Sequence, residues 1–122
     1  DIIIRSASSV EAVAMCFDKG KKLGLDSFKV SDTIASFLGE LAKEIIDLYS
    51  IKGIVFTGGD TAIKAAHKLN ISGIEIRDEI LHGIPYGYFT DEKYRDIMVV
   101  TKAGGFGGED ALFQIINFLR NV

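Results

Sequence analysis

Two glycine-bearing segments are the residues of this sequence best suited to bind an anion. The first, residues 57–61, reads Thr-Gly-Gly-Asp-Thr and follows the β-branched run at 54–56. The second, residues 104–108, has four glycines around Phe106 and follows another β-branched run. Glycine lets the backbone approach an anion closely, and unpaired N–H groups at the start of a helix point at it. The pattern indicates a phosphate or nucleotide site.

Each segment also has a plainer interpretation. Residues 58–61 could form an ordinary strand-to-helix turn in which Asp60 or Thr61 caps the helix. Four glycines in five positions cost conformational entropy, which favours a ligand-cradling loop over a simple turn at 104–108. Phe106 could stack on a base or fill the core, and Lys102 could reach a phosphate or stay solvated. Neither segment has the spacing of a Walker A loop or a Rossmann fingerprint.

Two serines are expected at the same edge as the glycine segments. Ser6 and Ser8 follow the strand-like residues 2–5, and ligands of parallel sheets bind outside the carboxyl ends of the strands. Their alternative role is to cap the helix that follows. His67 and His82 have no partner at metal-ligand spacing, so no zinc-type site is expected.

The elements that would position these residues alternate along the first half of the chain. Strands are predicted at 2–5, 27–30, 53–56, 74–80, 83–89 and 95–101, and helices at 10–23, 31–48, 61–70 and after the second glycine segment. The second helix is expected to bury one stripe of large side chains: Ile34, Leu38, Leu41, Ile45 and Leu48. This order predicts an α/β fold, a three-layer sandwich with a mixed, mostly parallel sheet and helices on both faces.

The length and net charge of the chain indicate a single domain that has no general electrostatic attraction to polyanions. A chain of 122 residues fits one domain, and its net charge of −3 gives no general attraction to nucleic acid or to an anionic membrane. The single cysteine, Cys16, suits a reducing compartment, and a cytoplasmic location is expected. The chain begins at Asp1 without methionine and enters a strand-like run almost at once. We therefore expect it to be part of a longer protein.

Four motifs occur here in an order that resembles one known family. They are the serine-rich turn after the first strand, Gly-Gly-Asp-Thr-Ala at 58–62, Gly-Ile-Pro-Tyr-Gly at 83–87, and Thr-Lys-Ala-Gly-Gly-Phe-Gly-Gly-Glu-Asp at 101–110. The sequence resembles the C-terminal nucleotide-binding domain of the four-carbon acid sugar kinases. The resemblance implies that residues 1–122 bind ATP with Mg²⁺. It also implies that a separate N-terminal domain binds the sugar acid.

The expected function is therefore the ATP-binding domain of a kinase for a four-carbon sugar acid of the threonate, erythronate or 3-oxo-tetronate type. Asp60 is the candidate for contact with metal or substrate, although the main catalytic residue would lie in the other domain. Two positions depart from the family pattern, which usually has glycine at Arg5 and asparagine at Gly105. Nucleotide contacts are expected from Ser6, Ser8, Gly58, Gly59, Thr61, Lys102, Gly104, Gly105, Phe106 and Gly107.

A second hypothesis is a module that binds a nucleotide or another phosphorylated ligand without catalysis. It keeps the glycine segments but does not require Asp60. The sequence leaves the oligomeric state open, and a homo-oligomer is compatible with it.

Overall fold

The computed structural model describes residues 1–122 as four helices and one four-stranded sheet. In chain order the elements are α1 (Val10–Lys22), α2 (Ser27–Leu48), β1 (Gly53–Thr57), α3 (Gly59–Leu69), β2 (Ile74–Leu81), β3 (Ile84–Phe89), β4 (Met98–Lys102) and α4 (Ala111–Arg120). None of the helices combines the length and apolar character needed to cross a bilayer.

The sheet is mixed, in the order β1-β4-β3-β2. β1 and β4 pair in parallel, whereas β4–β3 and β3–β2 are antiparallel. The α/β class is thus confirmed, but the expectation of a mostly parallel sheet is wrong. Two predicted strands do not form, and two of the three pairings, β2–β3 and β3–β4, are antiparallel.

The two missing strands have different causes. Residues 2–5 form no strand and lie outside the sheet, and Ile2 is 86% exposed. Residues 27–30 are instead the first turn of α2. The carboxylate of Asp26 accepts the Lys29 N–H at 2.8 Å, and this side-chain cap starts the helix four residues earlier than predicted.

Helices pack on both faces of the sheet, which gives the predicted three layers, although most of β2 is exposed. Because successive side chains alternate along a strand, Phe56 and Val99 face α2 and α3, while Val100 faces α4. On the α4 side, Ile84 and Ile115 are fully buried. Full burial of an isoleucine contributes about 1.5–3 kcal/mol, so these contacts fix α4 across the sheet.

Helix α2 buries a different stripe from the predicted one. Its buried residues are Val30, Ala35, Gly39, Ala42 and Ile46. A Cβ at Gly39 would lie 2.8 Å from the backbone of Lys64, so α2 and α3 approach more closely than large side chains allow. The predicted stripe is consequently only partly buried, and Leu48 is 70% exposed.

Residues 1–22, here called the amino-terminal arm, make little contact with the rest of the chain. Within α1 only Gly20 is buried, against Val30 of α2. Cys16 is half-buried on the same helix. The helix ends at Lys22 and Gly24 follows with φ +76°, as expected for a glycine terminating a helix. The arm and the residue after it leave these large side chains exposed: Ile2, Ile3, Ile4, Val10, Val13, Met15 and Leu23.

A charged cluster ties the end of α2 to the turn before β4. Asp47 accepts hydrogen bonds from Lys93 at 2.7 Å, Lys43 at 2.9 Å and the Tyr94 hydroxyl at 3.1 Å. These donors, Lys93 first, hold the pKa of the Asp47 carboxyl well below its usual range. The same contacts raise the pKa values of the Lys43 and Lys93 ammonium groups.

Candidate functional site at the carboxyl ends of the parallel strands

The two glycine-bearing segments lie side by side. β1 and β4 pair in parallel up to Thr57 and Lys102, and the next backbone bond joins the Gly58 N–H to the Lys102 carbonyl at 2.9 Å. Each segment leaves the carboxyl end of its strand at that point. The prediction that they meet at one edge of the sheet is confirmed.

The start of α3 forms one side of this edge. The helix begins at Gly59, and its N-cap is Gly58, which has φ +96° and no side chain to cap the helix. Asp60 and Thr61 lie within the first turn, so the expectation that one of them caps the helix is wrong. The first N–H groups of a helix have no partner inside it, and here no capping side chain covers them. The exposed carboxylate of Asp60 lies beside these positive groups.

The second side is residues 103–107, which we call the glycine loop. The Phe106 N–H donates to the Ala103 carbonyl at 3.1 Å and closes a turn. The N–H groups of Gly104, Gly105, Gly107 and Gly108 donate to no acceptor in the protein. Several exposed donors in succession create a concentration of positive potential suited to an anion.

Lys102 and Phe106 hold the glycine loop from two directions. The Lys102 ammonium donates to the carbonyls of Ala103 at 3.2 Å and Gly104 at 3.3 Å. The Phe106 ring lies over Gly83 in the β2–β3 turn, where a Cβ would come within 2.4 Å of a ring carbon. Phe106 remains 47% exposed, so part of the residue is open to solvent.

The glycines at this edge have two different explanations. Gly58, Gly83 and Gly107 have φ of +96°, +75° and +82°, a backbone region that other residues rarely adopt. Gly59, Gly104 and Gly105 have no such φ, and a Cβ at each would meet no atom within 4 Å. The fold itself does not require glycine at these last three positions.

The sheet does not carry Ser6 and Ser8 to this edge, because the strand that would lead into them is absent. Both are exposed, and no backbone hydrogen bond joins residues 1–8 to the sheet. The serine that caps α1 is Ser9, whose Oγ accepts the Ala12 N–H at 3.1 Å. Whether Ser6 and Ser8 contact a ligand stays a prediction.

The β2–β3 turn also belongs to the site, although the sequence patterns did not place it there. His82 and Gly83 follow β2, which runs parallel to β4, so their turn lies at the same end as the glycine loop. The glycine in the segment His-Gly-Ile-Pro-Tyr was a usable signal, because it marks a turn between two strands. We call residues 58–61, 82–83 and 103–107 together the glycine rim.

Two concavities lie at the opposite end of the sheet. A shallow groove of about 390 Å³ is lined by residues that include Ile51, Lys52, Met98 and Leu119, at the amino ends of β1 and β4. A second, of about 260 Å³, adjoins the Asp47 cluster. Neither concavity is lined by residues of the glycine rim, where the free polar groups include the backbone donors described above.

Comparison with known proteins assigns the family. The model of the nucleotide-binding C-terminal domain matches residues 1–112. A D-threonate kinase of Bordetella bronchiseptica is 38% identical over 112 residues, which is 92% of this chain and 27% of that protein. A D-threonate kinase of Salmonella typhimurium is 28% identical over 120 residues, 98% of this chain and 28% of its own length.

A solved structure agrees with these matches. A domain of unknown function from Bordetella bronchiseptica, crystallised with citrate as a domain-swapped dimer, is 40% identical with a TM-score of 0.68. The similarity covers 73% of this chain and 23% of that one. This chain spans about a quarter of the length of the relatives that it matches. Since the family model covers nearly all of it, the chain belongs to the family of nucleotide-binding C-terminal domains.

Proposed function

We propose that this chain is the ATP-binding domain of a kinase that phosphorylates a four-carbon sugar acid. Its family and the kinase activity named for both D-threonate kinase relatives support this proposal. The observation that carries it is the open space around Gly59, Gly104 and Gly105. Glycine at an unstrained position costs conformational entropy without helping the fold. A ligand that approaches the backbone closely accounts for glycine at all three.

The glycine rim would bind the phosphates through backbone donors. The start of α3 supplies uncapped N–H groups, and the glycine loop adds those of Gly104, Gly105 and Gly107, with Gly108 next to it. Thr61 adds a hydroxyl from the first turn of α3. The exposed part of Phe106 would stack on the base. Phosphoryl transfer depends mainly on such positioning and on neutralising charge.

The acidic residue at the rim is compatible with Mg²⁺. This ion usually takes one or two carboxylates together with phosphate oxygens and water. Asp60 would supply a carboxylate oxygen, and the bound ion would neutralise charge on the phosphates. The structure has no group of three or more histidine, cysteine or acidic side chains that could hold a metal ion, and this arrangement does not need one.

The second substrate would be held by another domain. Since the relatives are about four times as long as this chain, we propose that residues 1–122 form the C-terminal domain of a two-domain kinase. The N-terminal domain would bind the sugar acid and supply the main catalytic residue. Asp60 would then lie at the cleft between the domains, against the transferred phosphoryl group.

The amino-terminal arm would complete the site. β1 is an edge strand, and its side away from β4 has no partner. Residues 2–5 are β-branched or long and are exposed, so they suit a fifth strand parallel to β1. That pairing would bring Ser6 and Ser8 beside Gly58. A second copy could supply the strand, and the Bordetella structure described as a domain-swapped dimer supports this possibility.

Calorimetric titration of ATP and Mg²⁺ into the chain tests the nucleotide site. Gly59→Ala and Gly105→Ala should each weaken ATP binding by about tenfold, or about 1.4 kcal/mol. Thermal stability should not fall, because a Cβ fits at both positions. Gly73→Ala is the matched control: its Cβ also fits, 3.8 Å from Thr90, at the opposite end of the sheet. Unchanged ATP affinity in both rim variants would contradict the proposal.

A further inference from the structure

The orientation of the glycine loop is controlled by the lysine that precedes it. Lys102 directs its ammonium back onto the loop, where it donates to the carbonyls of Ala103 and Gly104. No peptide bond of the chain is cis. In a trans peptide the carbonyl and the following N–H point in opposite directions. The N–H groups of Gly104 and Gly105 therefore point away from the ammonium.

This arrangement separates the two kinds of polar group in the loop. The ammonium covers carbonyl oxygens that would repel a phosphate. The N–H groups of Gly104 and Gly105, which have no acceptor in the protein, stay on the opposite side of the loop from the ammonium. A lysine used only as a phosphate ligand would have no need to bond these carbonyls.

We propose that Lys102 is a positioning residue, which orders the glycine loop with its donors facing the ligand before the ligand arrives. The role of this ordered loop in ATP binding rests on the proposed nucleotide site. The ordering itself is a property of the free protein.

Phe106 provides the second attachment of the same loop. Its ring lies over Gly83, and the adjacent Gly107 is closely packed, since a Cβ there would lie 2.6 Å from Ala111 and 3.1 Å from Ile84. The loop is thus held at its beginning by hydrogen bonds and at its end by packing. Between the two attachments, a Cβ at Gly104 or Gly105 would meet no atom within 4 Å. Apart from the turn bond between Phe106 and Ala103, the order of these two glycines therefore depends on Lys102.

The experiment compares Lys102→Met, which removes the donors and keeps the aliphatic stem, with Lys102→Arg, which keeps donors. Lys29→Met is the control, because Lys29 is exposed on α2 and forms no salt bridge. The first measurement is the backbone ¹⁵N heteronuclear NOE of Gly104 and Gly105 without nucleotide. We expect it to fall in Lys102→Met and to recover in Lys102→Arg, with the melting temperature unchanged.

The second measurement is ATP affinity in a double-mutant cycle with Gly105→Ala. If Lys102 acts through the loop, Lys102→Met should lower ATP affinity about tenfold in the native background. In the Gly105→Ala background, where the contact of the nucleotide with the loop is already weakened, the same substitution should lower affinity far less. Additive effects would identify Lys102 as a direct phosphate ligand and overturn the inference, as would an unchanged NOE. Absence of ATP binding in the native chain would instead refute the nucleotide site and leave the NOE result to decide the role of Lys102.

Discussion

The Gly58 N–H and the Lys102 carbonyl, 2.9 Å apart, form the last backbone bond between β1 and β4. Immediately after this bond one chain segment turns into α3 and the other into the glycine loop. A single parallel pairing therefore brings both sets of free backbone donors to one edge. Pairing of Thr57 with Lys102 fixes the position of the start of α3 relative to the glycine loop along the strand direction. A register shift of one residue is disfavoured because it would also exchange the two faces of β4.

Gly83→Ala should destabilise the chain more than Gly24→Ala. Both glycines have nearly the same φ, +75° and +76°, but only a Cβ at Gly83 would collide with another group, the Phe106 ring. Left-handed backbone costs alanine about 1–2 kcal/mol, and we expect the collision to add about 1–3 kcal/mol. Urea denaturation of the two variants measures the difference.

Phe106→Ala provides the control for that comparison. Without the ring, the cost of Gly83→Ala should fall to that of Gly24→Ala. An unchanged cost in the Phe106→Ala background would show that the ring does not pack on Gly83.

The Asp47 cluster should make stability depend on pH on the acid side. The folded-state pKa of Asp47 is depressed, so its contribution is complete above the unfolded value of about 4 and disappears as pH falls through the folded value. The raised pKa values of Lys43 and Lys93 act in the opposite range: their contribution is complete below about pH 10.5 and is lost at higher pH.

Denaturant unfolding at a series of pH values measures this dependence. Asp47→Asn should flatten the curve below about pH 4 and lower stability at neutral pH. Asp18→Asn serves as the control on exposed α1, because Asp18 forms no salt bridge. If the free energy of unfolding of Asp47→Asn changed with pH in parallel with that of the native chain, the loss of stability in acid would belong to other carboxyl groups.

Asp60→Asn should separate binding from catalysis under the proposed kinase function. In the protein that includes the sugar-acid domain, turnover should fall about 100-fold or more, because a carboxylate at the reacting phosphoryl group is lost. ATP affinity of this chain should change little, since the backbone donors remain. Unaltered turnover with intact ATP binding would favour the non-catalytic nucleotide-binding hypothesis.

Ile3→Lys tests the proposed pairing of the arm with β1. If a second copy supplies the strand, the native chain should associate with increasing concentration, and the variant should shift toward monomer because lysine opposes burial at a strand edge. Size-exclusion chromatography with light scattering measures the mass. Ile76→Lys is the control on β2, where isoleucine is also exposed, at 55%. Equal masses for the native chain and both variants would argue against exchange of the arm.

Local patterns located most elements of the fold correctly. The strand-like runs at 53–56, 74–80 and 83–89 became β1, β2 and β3, each with a shift of one residue at one end. Apolar residues at consecutive positions correctly indicated that β1 packs on both faces, although Phe56 is its one buried residue and Val55, on the other face, is half-buried. The glycines after β1 and β4 correctly marked one edge, because parallel neighbours must end together.

The remaining features depend on contacts between distant residues. Residues 2–5 have the composition of a strand, but a strand forms only where a partner is available. The buried stripe of α2 was misjudged because the close approach of α3 selects small side chains such as Gly39 over larger ones. Gly83 joins the rim only through the fold of the β2–β3 hairpin, which no spacing near residues 103–107 indicates.

The placement of Cys16 on α1 has a practical consequence. It is the one thiol in the chain, and α1 touches the rest of the protein mainly at Gly20. A fluorescent dye attached there would sit on the arm alone. Its anisotropy would report in real time when that helix docks or swings away, without any cysteine having to be introduced or removed.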